Sequence, residues 1–187
     1  LRDADYRPNA LALLFSRLPA NLPVPVVVVQ HMPPEFTPHL ADRLARESNL
    51  PVAEARAGAA LVPGEAWIAP GGRHTVVHAA GPTPTLRLTD DAPVNSCRPS
   101  ADILFRSVRE VYGGRGLVVV MTGMGEDGLA GARDLKAAGC SVLAQDEASS
   151  VVWGMAGAVA GAGLAEAVLP PEELGDEIAR RVRRGRR

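Results

Sequence analysis

Two short segments of this sequence are apolar at nearly every position, and they constrain the fold more than any other feature. Residues 26–29 are an unbroken run of valine, and residues 116–121 (GLVVVM) carry no charged or polar side chain. Strands with one face in water alternate apolar and polar residues, whereas strands buried on both faces do not. Both segments are therefore predicted to be strands of a mostly parallel sheet covered by helices on both sides.

Helical and strand patterns alternate along most of the chain. Helices are predicted at residues 10–17, 37–48 (with Thr37 as N-cap and Pro38 in the first turn), 100–112, 128–139, 151–163 and from 171 onward. Further strands are predicted at residues 51–55, 141–145 and 164–169. Short β-like runs between residues 64 and 88, broken by PGGR and AGPTP, indicate hairpins at one edge of the sheet. The predicted fold is a doubly wound, mostly parallel α/β sheet with an antiparallel hairpin edge, in a single domain over residues 1–187.

Composition excludes several classes of function. The 187 residues carry a formal net charge of -1, which gives no reason to expect nucleic acid as a partner. No apolar run approaches the ~20 residues that span a bilayer, so neither membrane insertion nor a signal peptide is expected. The two cysteines, Cys97 and Cys140, lack the spacing of a metal site or redox motif. A reduced, cytoplasmic protein without metal or cofactor is expected.

Chemistry in parallel sheets collects where strands end and loops meet helices. His31 directly follows the valine strand, and Pro33 and Pro34 stiffen the turn behind it. A histidine at this position either has a functional role or is only a polar residue that caps the end of the sheet. Residues 145–158 form another strand-to-helix loop, in which Ser149 and Ser150 are predicted helix caps.

A glycine-rich loop, MTGMGEDGLAG at residues 121–131, follows the second apolar strand. Asp127 lies just before the predicted helix, so a plain N-cap role is one interpretation. The glycines would expose backbone N–H groups suited to a developing oxyanion. A phosphate-binding role is the weaker alternative, because the loop matches neither GxGxxG nor GxxxxGK[ST].

Five segments resemble a known family in their order along the chain. They are VVVVQHMPPEFTPHLADRL (26–44), IAPGGRHTVV (68–77), APVNSCRPSADILFRSV (92–108), VVVMTGMGEDGLAG (118–131) and VLAQDEASSVVWGMAGAV (142–159). This order is similar to that of bacterial chemotaxis protein-glutamate methylesterases of the CheB type. The resemblance extends over about residues 8–174.

The resemblance implies roles for particular residues. His31 would be the general base, Asp127 would orient it, and Met124 would supply an oxyanion-binding backbone N–H beside Gly123. Arg98 either holds an acidic receptor segment or caps a loop carbonyl. The implied activity is hydrolysis of glutamate methyl esters, with glutamine deamidation, on methyl-accepting chemoreceptors by a Ser-His-Asp mechanism. A receiver domain often precedes this catalytic domain in the family.

The N-terminus departs from the family pattern. Relatives carry the nucleophilic serine in GASTGG after an apolar strand, whereas Ala4 falls at that position here and the strand is not found. Asp5 is a poor replacement nucleophile, and Ser16 lies inside a predicted helix. The alternatives are an altered or truncated N-terminus of an active enzyme, or an inactive binding module that kept the scaffold. A nucleotide-binding α/β domain is a third alternative, suggested by the fold alone.

The loop before RPS contains a second, smaller departure. Relatives often carry a polar residue or a histidine where this chain has Cys97, which is interpreted as a neutral replacement. Cys140 is predicted to be a small buried residue before a strand.

Overall fold

The computed structural model of the chain describes residues 9–79 and 81–184. The helices are α1 Asn9–Ser16, α2 Thr37–Glu47, α3 Ala101–Tyr112, α4 Leu129–Ala137, α5 Met155–Gly161 and α6 Pro171–Arg184. The strands are β1 Val26–Val28, β2 Val52–Glu54, β3 Ala66–Ile68, β4 His74–His78, β5 Thr85–Thr89, β6 Leu117–Val120, β7 Ser141–Gln145 and β8 Ala167–Leu169. The predicted alternation of helices and strands is confirmed, and β7 has the predicted bounds.

The parallel strands form two sheets rather than one within the described ranges. β3 lies between β1 and β2, and β7 lies between β6 and β8, with every pairing parallel. In this part of the chain, β1 pairs with β3 alone and β6 pairs with β7 alone. Both faces of the valine run are covered as predicted, because alternate valines pack against two different apolar cores. β1 is nevertheless only half-buried, and one of its edges has no described neighbour.

The hairpin prediction is confirmed for one pair and wrong for β3. β4 and β5 pair antiparallel over five residues, from His74–Thr89 to His78–Thr85. β3, which was predicted among the hairpins, is instead a buried central strand. Its side chains alternate between two apolar cores, with Ile68 in one and Trp67 in the other, and this double burial stabilises the central position.

Helices cover both faces of the parallel sheets. On one face α1, α2 and α6 pack together on a core that includes Phe15, Leu44 and Leu174. Residues of both parallel sheets contribute to that core, so the sheets lie side by side in one layer. On the other face, α4 and α5 pack on Val118 and Val142. Cys140 is buried in this second core, as predicted. No helix in the described ranges is long and apolar enough to cross a bilayer.

The predicted cap residues of two helices, α2 and α5, are wrong. Thr37 is the first residue of α2 rather than its N-cap; its hydroxyl donates to Glu54 at 2.6 Å and accepts from the Gly71 N–H at 3.1 Å. Ser149 and Ser150 lie in a turn before α5, whose N-cap is Gly154. Ser150 Oγ donates to the Asp146 carbonyl at 2.6 Å and Ser149 Oγ donates to the Asp146 carboxylate, so both hydroxyls stabilise this turn.

Candidate active site

The structure brings His31 and Asp127 together at the carboxyl ends of β1 and β6. His31 Nε2 lies 2.8 Å from Asp127 Oδ2, although the residues are 96 positions apart in sequence. The histidine side chain is 27% exposed and the carboxylate only 1%. A buried acid thus holds an imidazole that solvent and ligands can reach.

Asp127 stabilises a helix other than the one that follows it. Its carboxylate accepts hydrogen bonds from Ser100 Oγ and from the Ala101 N–H, both at 2.6 Å, and from the Asp102 N–H at 3.3 Å. These groups form the N-terminus of α3, where unpaired N–H groups and the helix dipole favour an anion. The N-cap of α4 is Gly128, with a left-handed φ of 93° and no side-chain cap. The interpretation of Asp127 as cap of its own helix is wrong.

These contacts keep Asp127 ionised. Burial alone would raise its pKa, but the hydrogen bonds from His31, Ser100 and the Ala101 N–H lower the pKa to about 2. An ionised carboxylate can only accept, so the His31 proton must reside on Nε2. Nδ1 is then the nitrogen that can accept a proton from a substrate or nucleophile, and within the described residues it has no hydrogen-bond partner.

A tight turn at residues 94–97 contributes to the site, and the sequence did not predict it. Val94 and Cys97 exchange backbone hydrogen bonds of 3.1 and 2.8 Å, and the two central residues, Asn95 and Ser96, have φ values of 51° and 61°. Positive φ at both central positions defines a type I′ turn, which asparagine tolerates. Asn95 Nδ2 donates to Asp102 Oδ2 at 2.9 Å and to Asp127 Oδ1 at 3.3 Å. One amide therefore bridges two buried carboxylates.

His74 stabilises the same loop from β4. Its buried ring accepts the Ser100 N–H at Nδ1 (3.1 Å), and its Nε2 lies 3.1 Å from the Ala92 carbonyl. Because Nδ1 accepts, the ring N–H lies on Nε2 and donates to the Ala92 carbonyl. The ring fixes the backbone of Ser100, whose hydroxyl holds Asp127. In the sequence, His74 is recognisable only as a histidine at the start of a predicted strand.

The glycine-rich loop lies against the loop before α5. The Gly123 N–H donates to the Val152 carbonyl at 3.0 Å, so it is not free for an oxyanion. Met124 is 81% exposed, and its N–H has no acceptor among the residues that the structure describes. A Cβ on Gly154 would lie 2.7 Å from the Gly123 carbonyl oxygen, so only glycine permits this approach. Of the two predicted oxyanion residues, Met124 has the available donor.

Arg98 has the local role that was one of its two predicted alternatives. Its Nη1 donates to the carbonyl oxygens of Asp90 and Asp91, both at 3.2 Å. The guanidinium therefore stabilises the preceding loop. Ala4, which falls at the expected position of the nucleophilic serine, lies outside the described residues, as does Asp5.

A buried carboxylate that fixes the tautomer of a histidine is the arrangement found in hydrolases with a Ser-His-Asp triad. The chain belongs to the CheB methylesterase family, whose profile matches residues 7–178. It is 49% identical over 175 residues to a protein-glutamate methylesterase/protein-glutamine glutaminase of Trichodesmium erythraeum, covering 94% of this chain and 50% of that protein. A relative of the same name from Nocardioides sp. is 53% identical over 179 residues, covering 96% of this chain and 49% of that protein.

The chain spans about half the length of the curated relatives it matches. It is also similar to the crystal structure of the Thermotoga maritima CheB methylesterase catalytic domain, with a TM-score of 0.90 and 38% sequence identity over 92% of each chain. These comparisons confirm the family resemblance and the mostly parallel α/β fold class.

Proposed function

We propose that this chain is the catalytic domain of a protein-glutamate methylesterase that also deamidates glutamine, and that its substrates are side chains of methyl-accepting chemoreceptors. One observation carries the proposal: His31 Nε2 lies 2.8 Å from the buried Asp127 carboxylate at the ends of two parallel strands. The names of the relatives supply the ester and amide as substrate classes. A cytoplasmic location and a receiver domain elsewhere in the full protein belong to the same proposal.

The reaction would use His31 through the nitrogen that Asp127 leaves free. A serine hydroxyl attacks the ester carbonyl while His31 Nδ1 takes its proton, and Asp127 stabilises the resulting imidazolium. The Met124 N–H stabilises the oxyanion of the tetrahedral intermediate. Methanol then leaves with the proton from His31, and water hydrolyses the acyl-enzyme by the reverse sequence of proton transfers. No cofactor enters any step.

The serine would come from a strand inserted between β1 and β6. Both strands have one edge without a neighbour in the described part of the chain, and both contribute to the same core. They also end beside each other, at His31 and Asp127. A parallel strand between them would end next to His31, where the family places GASTGG, and would cover the half-buried valines of β1.

Ala4 at the expected serine position favours a second candidate, an inactive module that binds receptors without hydrolysing them. Three proteins separate the candidates: the chain as given, a version with the upstream strand and GASTGG of a relative restored, and the restored version with serine replaced by alanine. Methanol release from methylated receptor membranes is the measurement. We expect release from the restored version alone.

Two results would contradict this expectation. Methanol release by the chain as given at the rate of the restored version would mean that the nucleophile lies elsewhere. A folded restored version that binds receptor and releases no methanol would favour the inactive module. Circular dichroism of all three proteins checks that they fold.

A further inference from the structure

Cys97 lies next to the His31–Asp127 pair, which its interpretation as a neutral replacement did not anticipate. Its Sγ, a ring nitrogen of His31 and a carboxylate oxygen of Asp127 all lie within 4.8 Å of one another. The three residues come from different loops, so no metal-binding spacing appears in the sequence. His31 and Cys97 are only partly buried, and solvent species can therefore reach the cluster.

We propose that His31, Cys97 and Asp127 form a site for a thiophilic divalent cation, with Zn²⁺ as the best match. Zn²⁺ prefers thiolate, imidazole and carboxylate ligands in tetrahedral geometry, with bonds of about 2.3 Å to sulfur and about 2.0–2.2 Å to nitrogen and oxygen. Such bonds place the ligand atoms about 3.5 Å apart. Binding would release the Cys97 thiol proton and the ring proton that His31 shares with Asp127 to solvent, because thiolate and an unprotonated imidazole nitrogen are the ligands. Small side-chain movements would then bring the observed cluster to that spacing, with the fourth position open to water.

The charges around the cluster favour a cation. In the described part of the chain, Asp127 accepts hydrogen bonds from His31, Asn95, Ser100 and two backbone N–H groups, and from no lysine or arginine. A second buried carboxylate, Asp102, is joined to it through Asn95. Buried negative charge without a cationic side chain attracts a metal ion.

The backbone around Cys97 is already held in place. Its N–H and carbonyl both bond to Val94, and the two residues between them have left-handed φ angles. Such conformations in residues other than glycine persist only where the surroundings enforce them. The thiol is therefore presented to His31 by a rigid turn, which lowers the entropy cost of binding a metal.

Metal binding would have a functional consequence, which rests on the proposed function. A cation that takes a ring nitrogen of His31, or competes for Asp127, removes the proton acceptor of the esterase. The site would therefore be inhibitory, and Cys97 would supply the ligand that makes inhibition possible. Binding itself does not depend on hydrolysis and is measured on the chain as given.

The test titrates the full chain, purified under reducing conditions, with Zn²⁺ in competition with a chromophoric chelator and with Co²⁺ as a spectroscopic probe. We expect one Zn²⁺ per chain and a thiolate-to-cobalt charge-transfer absorption. Removal of a residue that only hydrogen-bonds to a metal ligand already weakens the affinity for the metal about 10–100-fold. Removal of a ligand by Cys97→Ser or His31→Gln should therefore cost at least about 100-fold and abolish the cobalt band in Cys97→Ser.

Cys140→Ser is the matched control, because Cys140 is the second cysteine of the chain and is buried away from the cluster. It should leave the affinity for Zn²⁺ and the cobalt band unchanged. Absence of Zn²⁺ binding, binding that persists in Cys97→Ser, or equal loss in Cys140→Ser would each overturn the site. In the restored serine-bearing version, Zn²⁺ should inhibit methanol release. The same Zn²⁺ concentration should inhibit the Cys97→Ser variant much less, when each protein is compared with its own rate in the absence of metal. Failure of the methanol assay alone would bear on the proposed function, not on metal binding.

Discussion

Two carboxylates of this protein have a lowered pKa for different physical reasons. The pKa of Asp127, in the candidate active site, is lowered to about 2 despite its burial, by hydrogen bonds that include His31 and Ser100. The pKa of Glu166, on the surface before β8, is also lowered to about 2, through its bonds with Lys136 and Arg181. One carboxylate is held by donors fixed in the fold, the other by flexible charged side chains.

The difference determines what each carboxylate can do. Asp127 is 1% exposed and its donors are largely uncharged, so it can hold a histidine in one orientation and its charge is little screened by salt. Glu166 is 34% exposed, with Lys136 Nζ 2.6 Å from its Oε1. Ion pairs of this kind contribute at most about 1 kcal/mol and weaken in salt. A low pKa alone therefore does not identify a catalytic carboxylate.

The largest expected difference between Asp127 and Glu166 is in their effect on turnover. Asp127→Asn, in the restored serine-bearing version, should fold and lose about ten-thousandfold in kcat, because the amide allows the wrong histidine tautomer. Methanol release measures the effect. Glu166→Gln is the matched control and should retain the parent rate. Near-parental activity of Asp127→Asn would mean that Asp127 only stabilises α3.

The next largest effect is on stability. Ser100→Ala removes a 2.6 Å hydrogen bond to a buried carboxylate and should lower the free energy of unfolding by about 1–3 kcal/mol. Urea denaturation monitored by circular dichroism gives the value. Ser16→Ala is the control, because Ser16 is exposed and its hydroxyl donates to a carbonyl of its own helix. A loss no larger than that of Ser16→Ala would show that Asp127 is not held by Ser100.

Acid should affect the buried carboxylate in a defined pH window. The folded-state pKa of Asp127, about 2, lies below its ordinary value of 3.8, so its stabilising contribution is present above pH 3.8 and lost as the pH falls through 2. The shift corresponds to about 2 kcal/mol. Free energies of unfolding measured from neutral pH to pH 2 should fall less steeply for Asp127→Asn than for the unaltered chain. Equal slopes would show that Asp127 has an ordinary pKa in the folded state.

The smallest effect on stability is expected at Glu166 and its ion pairs with Lys136 and Arg181. Glu166→Gln should lower the free energy of unfolding by no more than about 1 kcal/mol, and the loss should shrink further at about 1 M salt, where the Debye length is about 3 Å. Urea denaturation at low and high salt measures it. A large loss that salt does not change would remove the contrast between the two carboxylates.

Much of the fold was predictable because its local patterns are strong. The apolar run before His31 and the GLVVVM segment predicted parallel strands, and the structure has β1 and β6 there. Both candidate residues, His31 and Asp127, follow those strands in loops, where parallel sheets place their chemistry. A pattern of a few residues was sufficient to predict the strands and the loops, whereas the roles of the two residues were implied by the family resemblance.

Strand order and the contacts of the site were decided by the tertiary structure. β3 was predicted at an edge but lies between β1 and β2, where its side chains are buried in two apolar cores built from several other elements. The helix that Asp127 stabilises is α3, whose Ala101 N–H lies 26 residues earlier in the chain, and not α4, which directly follows it.

The sequence by itself determined the class of fold and placed His31 and Asp127 in loops after apolar strands, since these are local features; the pairing of the two residues was expected from the resemblance to CheB methylesterases. Only the tertiary structure decided that Asn95, Cys97 and Ser100 surround that pair. The physical reason is that their positions depend on a left-handed turn and on hydrogen bonds to a buried carboxylate from a distant strand end. No pattern in the neighbouring residues specifies such contacts.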